Sequence, residues 1–419
     1  MTGSAAAVAD YVTTHRERAV DFARDLVGVD TANPPGDTQA IVDDVAGLLA
    51  DWPVDLERHA VDPTKPNLLA TLPGERSQTL CLLGHLDTVP YDAGAWTHDP
   101  LGERVDDRLY GRGAADMKGP VGAMLAALEA YVETDTTPPV TVLFALVSDE
   151  EVGGDAGLPA VLAADRLDAD ACVIGEPTCD ADRHSVTVAD RGSIWLTLEA
   201  TGEAAHGSRP PLGVNAIDRL YAAVETIRER FGSRPLSIDD RLAPIVDESV
   251  AFYAPTMGET TARDLFAYPS INLGMMEGGE AVNSVPRTAR AELDVRLTAG
   301  VDTADVLADL RACAADCEGV TIADASWSVG TAEAVDSPLV EAVAGTAEDV
   351  TGQRIYRRSA TGGGDAKTLR NAGIPTVEFA LGPDTAHAVD EYTTVDALAQ
   401  NASVYARLPA RWGRAVEAH

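Results

Sequence analysis

Lysine is almost missing from this 419-residue chain. Only Lys65, Lys118 and Lys367 carry it, against 29 arginines and 67 acidic residues. The formal charge is −35 and the sequence pI about 4.4. Such an acidic surface repels polyanions, which argues against nucleic acid and anionic membrane as partners. The acidic excess is spread along the chain instead of sitting in a tail. With lysine so depleted, it reads as adaptation to concentrated salt, where screening weakens repulsion between surface carboxylates. Simple solubility is the other reading. Cysteine is scarce too: Cys81, Cys172, Cys179, Cys313 and Cys317 form no paired framework. That argues against a disulfide scaffold and suits a reducing compartment. Cys313 and Cys317 lie one helical turn apart with no second ligand pair near them, so a structural role fits. No apolar run approaches the roughly 20 residues of a membrane span. The opening stretch "MTGSAAAVADYVTTHRERAV" has neither the basic start nor the long apolar segment of a secretory signal. The expectation is a soluble, cytoplasmic protein.

The 45% hydrophobic and 24% charged content is that of a globular protein, and the length exceeds one ordinary core. No internal repeat stands out. "SQTLCLLGHLDTV", "PVTVLFALVS" and "DADACVIGEPT" read as buried strands, with a helix over "GPVGAMLAALEAYVET". This alternation predicts a mostly parallel sheet covered by helices. Near residue 184 the texture changes. "VTVADRGSIWLTLEATG" alternates apolar and polar residues, as a half-exposed antiparallel sheet does. A helix follows with Val214, Ile217, Leu220, Val224, Ile227 and Phe231 on one face. Strands "SINLGMME" and "RTARAELDVRL", helix "TADVLADLRACAAD" and strand "VTIADAS" complete a βαββαβ module. The first pattern returns after residue 331. The expected organisation is one domain from 1–183 and 332–419, interrupted by a second over 184–331.

The strands end in chemistry. "LLGHLDTVP" places His85 and Asp87 just past one strand; "GRGAADMKG" places Asp116 in a glycine-flanked loop before a helix. "LVSDEEVGG" supplies Glu150 and Glu151, "VIGEPT" supplies Glu176, and "GPDTAHAVDEY" supplies His387. In open parallel sheets, ligands bind beyond the carboxyl ends of the strands. Neighbouring strands would thus bring two imidazoles and several carboxylates to one pocket, a site for divalent metal. Mixed nitrogen and oxygen donors suit zinc, with cobalt or manganese also compatible. One zinc ion cannot use so many donors and keep an open position. Two ions about 3.5–4 Å apart, sharing a carboxylate, fit better. Glu150 cannot easily ligate the same ion as Glu151, because adjacent side chains diverge.

Seven motifs in order, "GHLDTVP", "GRGAADMKG", "SDEEVGG", "GEPT", "AHGSRP", "GGGDA" and "AHAVDEY", carry a resemblance. The chain is similar, from about residue 20 to 405, to the aminoacylase, acetylornithine deacetylase and succinyl-diaminopimelate desuccinylase family of di-zinc metallopeptidases. The resemblance implies a zinc-peptidase-like α/β catalytic domain interrupted by a ferredoxin-like lid that dimerises. It implies that Asp116 bridges two metal ions, beside a cis Asp116–Met117 bond. His85 and Glu176 would complete one ion, Glu151 and His387 the other. Glu150 would be the general base, and Asp87 would hydrogen-bond the His85 imidazole to orient it. His206 in the lid would reach the partner subunit's site and stabilise the oxyanion. Arg191, Asn283 and Arg296 would hold the substrate's carboxylate or acyl oxygen. Gly362, Gly363 and Gly364 would let backbone amides approach it.

Taken singly, Asp116 reads as a helix cap and Glu176 as a loop residue; their joint occurrence favours ligands. His15, His59, His98, His184 and His419 read as structural or solvated, and Asp149 as a loop carboxylate. The expected function is hydrolysis of the amide bond of an N-acyl amino acid or short peptide by water held between two zinc ions. A dipeptidase or carboxypeptidase of the same family is the alternative. A non-catalytic binder of amino-acid derivatives is a third, though a binder has no use for Glu150.

Overall fold

The apolar runs become the middle of an eight-stranded sheet in the computed structural model, which describes residues 3–180 and 182–417. His419 lies outside the described residues. Thr79–His85, Thr141–Val147 and Ala171–Ile174 are buried almost throughout, as strands covered on both faces must be. The strand order is Asp55–His59, Asn67–Leu72, Thr141–Val147, Thr79–His85, Ala171–Ile174, Thr376–Glu378, His184–Ala189 and Ile355–Ser359. From Thr141–Val147 to Thr376–Glu378 the neighbours run parallel. The two strands before them pair antiparallel, as does Thr376–Glu378 with His184–Ala189. Parallel neighbours end on one side, so the segments leaving their carboxyl ends are delivered to one place.

Helix Lys118–Glu133 is buried from Lys118 to Tyr131. It packs closely on helix Glu17–Val27, where a Cβ on Gly122 would lie 2.5 Å from the Ala23 nitrogen; only glycine permits that approach. Three short strands, Glu103–Val105, Arg108–Tyr110 and Tyr392–Thr394, pair separately. They were not expected, since three residues carry no readable period.

The chain divides into two compact units. The first runs to Val188 and takes in Glu333–Arg358 and the chain from Gly364 onwards; the second holds Ala189–Ala332 and Ser359–Gly363. In the second, a four-stranded antiparallel sheet has the order Ser270–Gly278, Thr288–Leu297, Gly192–Thr201, Val320–Ser328. Helices Ala216–Phe231 and Thr303–Ala315 lie against it, burying Leu196, Leu198, Leu220, Val224, Ile227, Leu293 and Leu310 together. This is the ferredoxin-like βαββαβ order, with an addition. Helices Ala243–Met257 and Glu259–Ala267 precede the second strand. They were missed because their own core is only Val250, Ala262 and Phe266 with a fringe of half-buried neighbours, and Pro255 interrupts the period.

Two further expectations need correction. Val214 precedes the helix, which begins at Ala216 with the Asn215 side chain capping Ile217 and Asp218. "VTVA" is not part of the half-exposed sheet: His184–Ala189 belongs to the large one and is buried from Ser185 on. Ser185 misleads because it is bonded inside. Ser185 Oγ donates to the Thr178 carbonyl, Thr178 Oγ1 donates to the Ser185 carbonyl at 2.7 Å, and Arg358 Nε donates to Ser185 Oγ at 2.9 Å.

Candidate metal centre

Each of the five expected ligands leaves the end of a strand or the loop just beyond it. His85 is the last residue of its strand, Glu150 and Glu151 follow Thr141–Val147, and Glu176 follows Ala171–Ile174. Asp116 closes the loop before helix Lys118–Glu133, beside a cis Asp116–Met117 bond. His387 has φ 63° in the segment between Thr376–Glu378 and Tyr392–Thr394.

These residues meet as two sets that share one carboxylate. His85 Nε2 lies 3.2 Å from Asp116 Oδ1 and 3.4 Å from Glu176 Oε1. His387 Nε2 lies 3.2 Å from Asp116 Oδ2 and 3.2 Å from Glu151 Oε2. Within each set the donor atoms all fall within 4.8 Å of one another, and each set could hold a metal ion. Two nitrogen or oxygen donors on one tetrahedral zinc ion, each at about 2.0–2.1 Å, stand about 3.3 Å apart. The observed spacings match. The charges also fit: burial, then the neighbouring Asp116, drives the Glu176 carboxyl well above its ordinary range. A bound cation would offset that crowding and keep the carboxylates ionised. The His85 tautomer is set as well, because Nδ1–H donates to the Asp87 carbonyl at 2.9 Å and leaves Nε2 to the ligand set.

Asp87 thus bonds the His85 imidazole as expected, through its carbonyl. The Asp87 carboxylate does not bond the imidazole; its Oδ1 is 3.7 Å from Nδ1. Instead its oxygens accept the Glu150 and Glu151 N–H groups at 3.1 and 3.2 Å. Glu150 stands outside both sets. Burial and then the carboxylates of Glu151, Asp116 and Asp87 push its carboxyl up to about 7, against the pull of His85. A Cβ on Gly364 would lie 3.0 Å from Glu150 Oε1, so glycine leaves that carboxylate its room.

In the second unit, His206 is exposed and its Nδ1 meets Ser208 Oγ at 2.8 Å. Asn283 is exposed, and its carbonyl accepts the Gly207 N–H at 2.7 Å. Arg191 is 1% exposed; it donates to Ser270 Oγ at 3.0 Å and to the Arg296 carbonyl at 2.9 Å. Arg296 Nε donates to both Asp294 oxygens, at 2.8 and 3.1 Å. Gly362 and Gly363 are exposed. Of the remaining histidines, His15 stacks on Tyr11 and His98 on Tyr110.

Sequence reasoning missed Arg112 and Glu391, which stand inside two of the quoted motifs. Glu391 is 0% exposed; its Oε1 accepts the N–H groups of Gly113, Ala115 and Asp116 at 3.1, 2.9 and 3.1 Å. Arg112 Nη1 meets its Oε2, and Nη2 donates to the Ala388 carbonyl at 3.2 Å. The pair ties the Asp116 loop to the His387 loop. Asp365 was also passed over; burial and then the Glu150 charge push its carboxyl up to about 8.

Two donor sets sharing one aspartate, at the carboxyl edge of a parallel sheet, define a metallohydrolase of amide or peptide bonds. The chain belongs to peptidase family M20/M25/M40, whose profile matches residues 81–411. It is 31% identical to a succinyl-diaminopimelate desuccinylase of Rhodospirillum centenum over 354 residues, 83% of this chain and 84% of that one. It is equally 31% identical to an acetylornithine deacetylase of Edwardsiella ictaluri, over 84% and 85% of the two chains. The fold matches the M20 family metallo-carboxypeptidase Sso-CP2 of Sulfolobus solfataricus with TM-score 0.78 at 20% identity, over 94% of this chain and 99% of that one.

Proposed function

We propose that the chain hydrolyses the amide bond of an N-acyl amino acid, in the manner of a deacetylase or desuccinylase, with Glu150 as general base and two zinc ions as cofactors. The observation that carries the reading is the shared Asp116 carboxylate, one oxygen in each donor set. His85, Asp116 and Glu176 would hold one ion, and Asp116, Glu151 and His387 the other. Bound there, such ions supply Lewis acidity toward a carbonyl oxygen and lower the pKa of water. Glu150, outside both donor sets, takes the proton of the attacking water and passes it to the leaving amine. The His387 side chain is 51% exposed, which leaves that side of the site open to a substrate. The names of the 31%-identical relatives support acylated amino acids over dipeptides.

In this reading the enzyme is a cytoplasmic homodimer, and His206 of each copy donates to the oxyanion in the other. Asn283 and Arg296 hold the substrate's carboxylate, with Gly363 and Gly364 beside its backbone. Arg191, buried and donating to the Arg296 carbonyl, positions Arg296 for that contact. The test is turnover of N-acetyl and N-succinyl amino acids against dipeptides, before and after chelation. Chelation should lower kcat by at least about 10²-fold, with recovery on adding zinc or cobalt. Activity that survives complete metal removal would end the metal reading; turnover confined to dipeptides would end the substrate reading.

The charge of −35 supports a salt-adapted protein. Lowering ionic strength from 1 M to 0.01 M lengthens screening from about 3 to 30 Å. Near-ultraviolet circular dichroism should therefore collapse on dialysis into low salt and return with added KCl. A signal indifferent to salt would leave only solubility as the reason for the charge.

A further inference from the structure

Behind the loop that carries Glu150 and Glu151 lies a chain of groups that the proposed chemistry does not use. Asp87 and Asp149 are both buried, at 0% and 5% exposure. The amide nitrogen of Asn33 stands between them, donating to Asp87 Oδ2 at 2.8 Å and to Asp149 Oδ1 at 3.1 Å. Lys65 forms an ion pair with that same Asp149 oxygen. Asp149 Oδ2 accepts the Ala156 N–H at 3.3 Å, and the residue holds φ 64° at the turn into Glu150. At the far end, Asp87 grips the Glu150 and Glu151 N–H groups.

Two buried carboxylates bridged by one amide repel each other and lose hydration. The amide has an N–H for each but no charge to offset them. Lys65, with its side chain 16% exposed, brings the positive charge. It is one of only three lysines in a chain whose other cations are arginine. An ammonium is a compact point donor, where a guanidinium is a broad planar fork.

Resting on the reading of Glu150 as the base, we propose that Lys65 is a positioning residue. Through Asp149, Asn33 and Asp87 it fixes the main chain of Glu150 and Glu151, so that one carboxylate enters the ligand set and its neighbour stays outside. The ammonium acts on placement and touches neither substrate nor ligand. Removing it leaves Asp149 buried without its cation. The Asp149 turn and the Asp87 grip then loosen, and Glu150 is misplaced first because, among the described residues, no hydrogen bond or ion pair holds its carboxylate.

The test compares variants of the metal-loaded enzyme in one high-salt buffer. Lys65→Met should lower kcat by about 10–100-fold, with KM changed by less than about threefold and two metal ions still bound per chain. Amide exchange across residues 149–156 should speed up. Lys65→Arg should recover only part of the lost kcat, because it returns the charge but not the compact donor. Lys65→Met/Asp149→Asn should run at least about fivefold faster than Lys65→Met, since the carboxylate that Lys65 paired with is gone. Wild-type kcat in Lys65→Met would overturn the proposal, as would a loss fully explained by lost metal or lost folded protein. A double variant no faster than the single one would do the same. Should Lys65→Met not fold, the double variant decides: folded and active supports the proposal, unfolded overturns it. Glu150→Gln in the same assay separates the two levels. If it turns over normally, the base assignment falls and takes this role with it. If it is inactive while Lys65→Met is unimpaired, only the role of Lys65 falls.

Discussion

Glu150→Gln should lower kcat by about 10²–10⁴-fold, the usual contribution of a positioned general base, while both metal ions remain bound. The substitution keeps the side chain's shape and removes only its ability to take a proton. Because Glu150 lies outside both donor sets, metal content and the unfolding midpoint should stay those of the wild type. The pH dependence offers a second readout. Burial and adjacent carboxylates raise this group to about 7 in the metal-free protein, and bound cations would pull it lower. It is active as the carboxylate, so rate is lost as pH falls through its pKa. That acid limb should be absent from the residual activity of Glu150→Gln. Retention of wild-type kcat, or loss of a metal ion along with activity, would remove Glu150 from the role of base.

Arg112→Met should destabilise the catalytic unit by about 3–5 kcal/mol, the cost of leaving a buried charge without its partner. Arg112 is 5% exposed and Glu391 0%. Glu391 also accepts three main-chain N–H groups around Asp116, so it cannot turn toward water without abandoning the loop that presents the shared ligand. Arg112→Lys should recover part of the loss, since it keeps the charge but not the fork that also reaches the Ala388 carbonyl. Urea unfolding in high salt measures both. The activity of folded Arg112→Met should fall too, with weaker metal retention, because Asp116 and His387 are no longer tied together. A variant as stable as the wild type would mean that Glu391 finds its compensation elsewhere.

Much of the catalytic unit was legible in the chain. Strands such as Thr79–His85 and Thr141–Val147 carry apolar runs that have no stable place except between two layers. Each of these runs stops at a charged or imidazole residue. That His85, His387 and several carboxylates converge could be inferred because sheets of this kind gather their strand ends; which of those carboxylates are ligands came from the family resemblance. Polar residues that are satisfied internally were harder to read. Ser185 made a buried strand look half-exposed, and Pro255 with a small local core hid two helices. Asp149 looked like a loop carboxylate because its partners, Asn33 and Lys65, lie 116 and 84 positions away.

The sequence by itself determined which segments must be buried, which side chains end the strands, and that so many acids near two histidines call for cations. These follow from local pattern and from the cost of burying charge. Only the tertiary structure decided that Asp116 gives one oxygen to each histidine set, that Asp87 holds the imidazole with its carbonyl and the Glu150 loop with its carboxylate, and that Arg112 and Glu391 lock two distant loops together. The reason is physical: hydrogen bonds and ion pairs act over about 3 Å, and such distances between residues far apart in the chain exist only after folding.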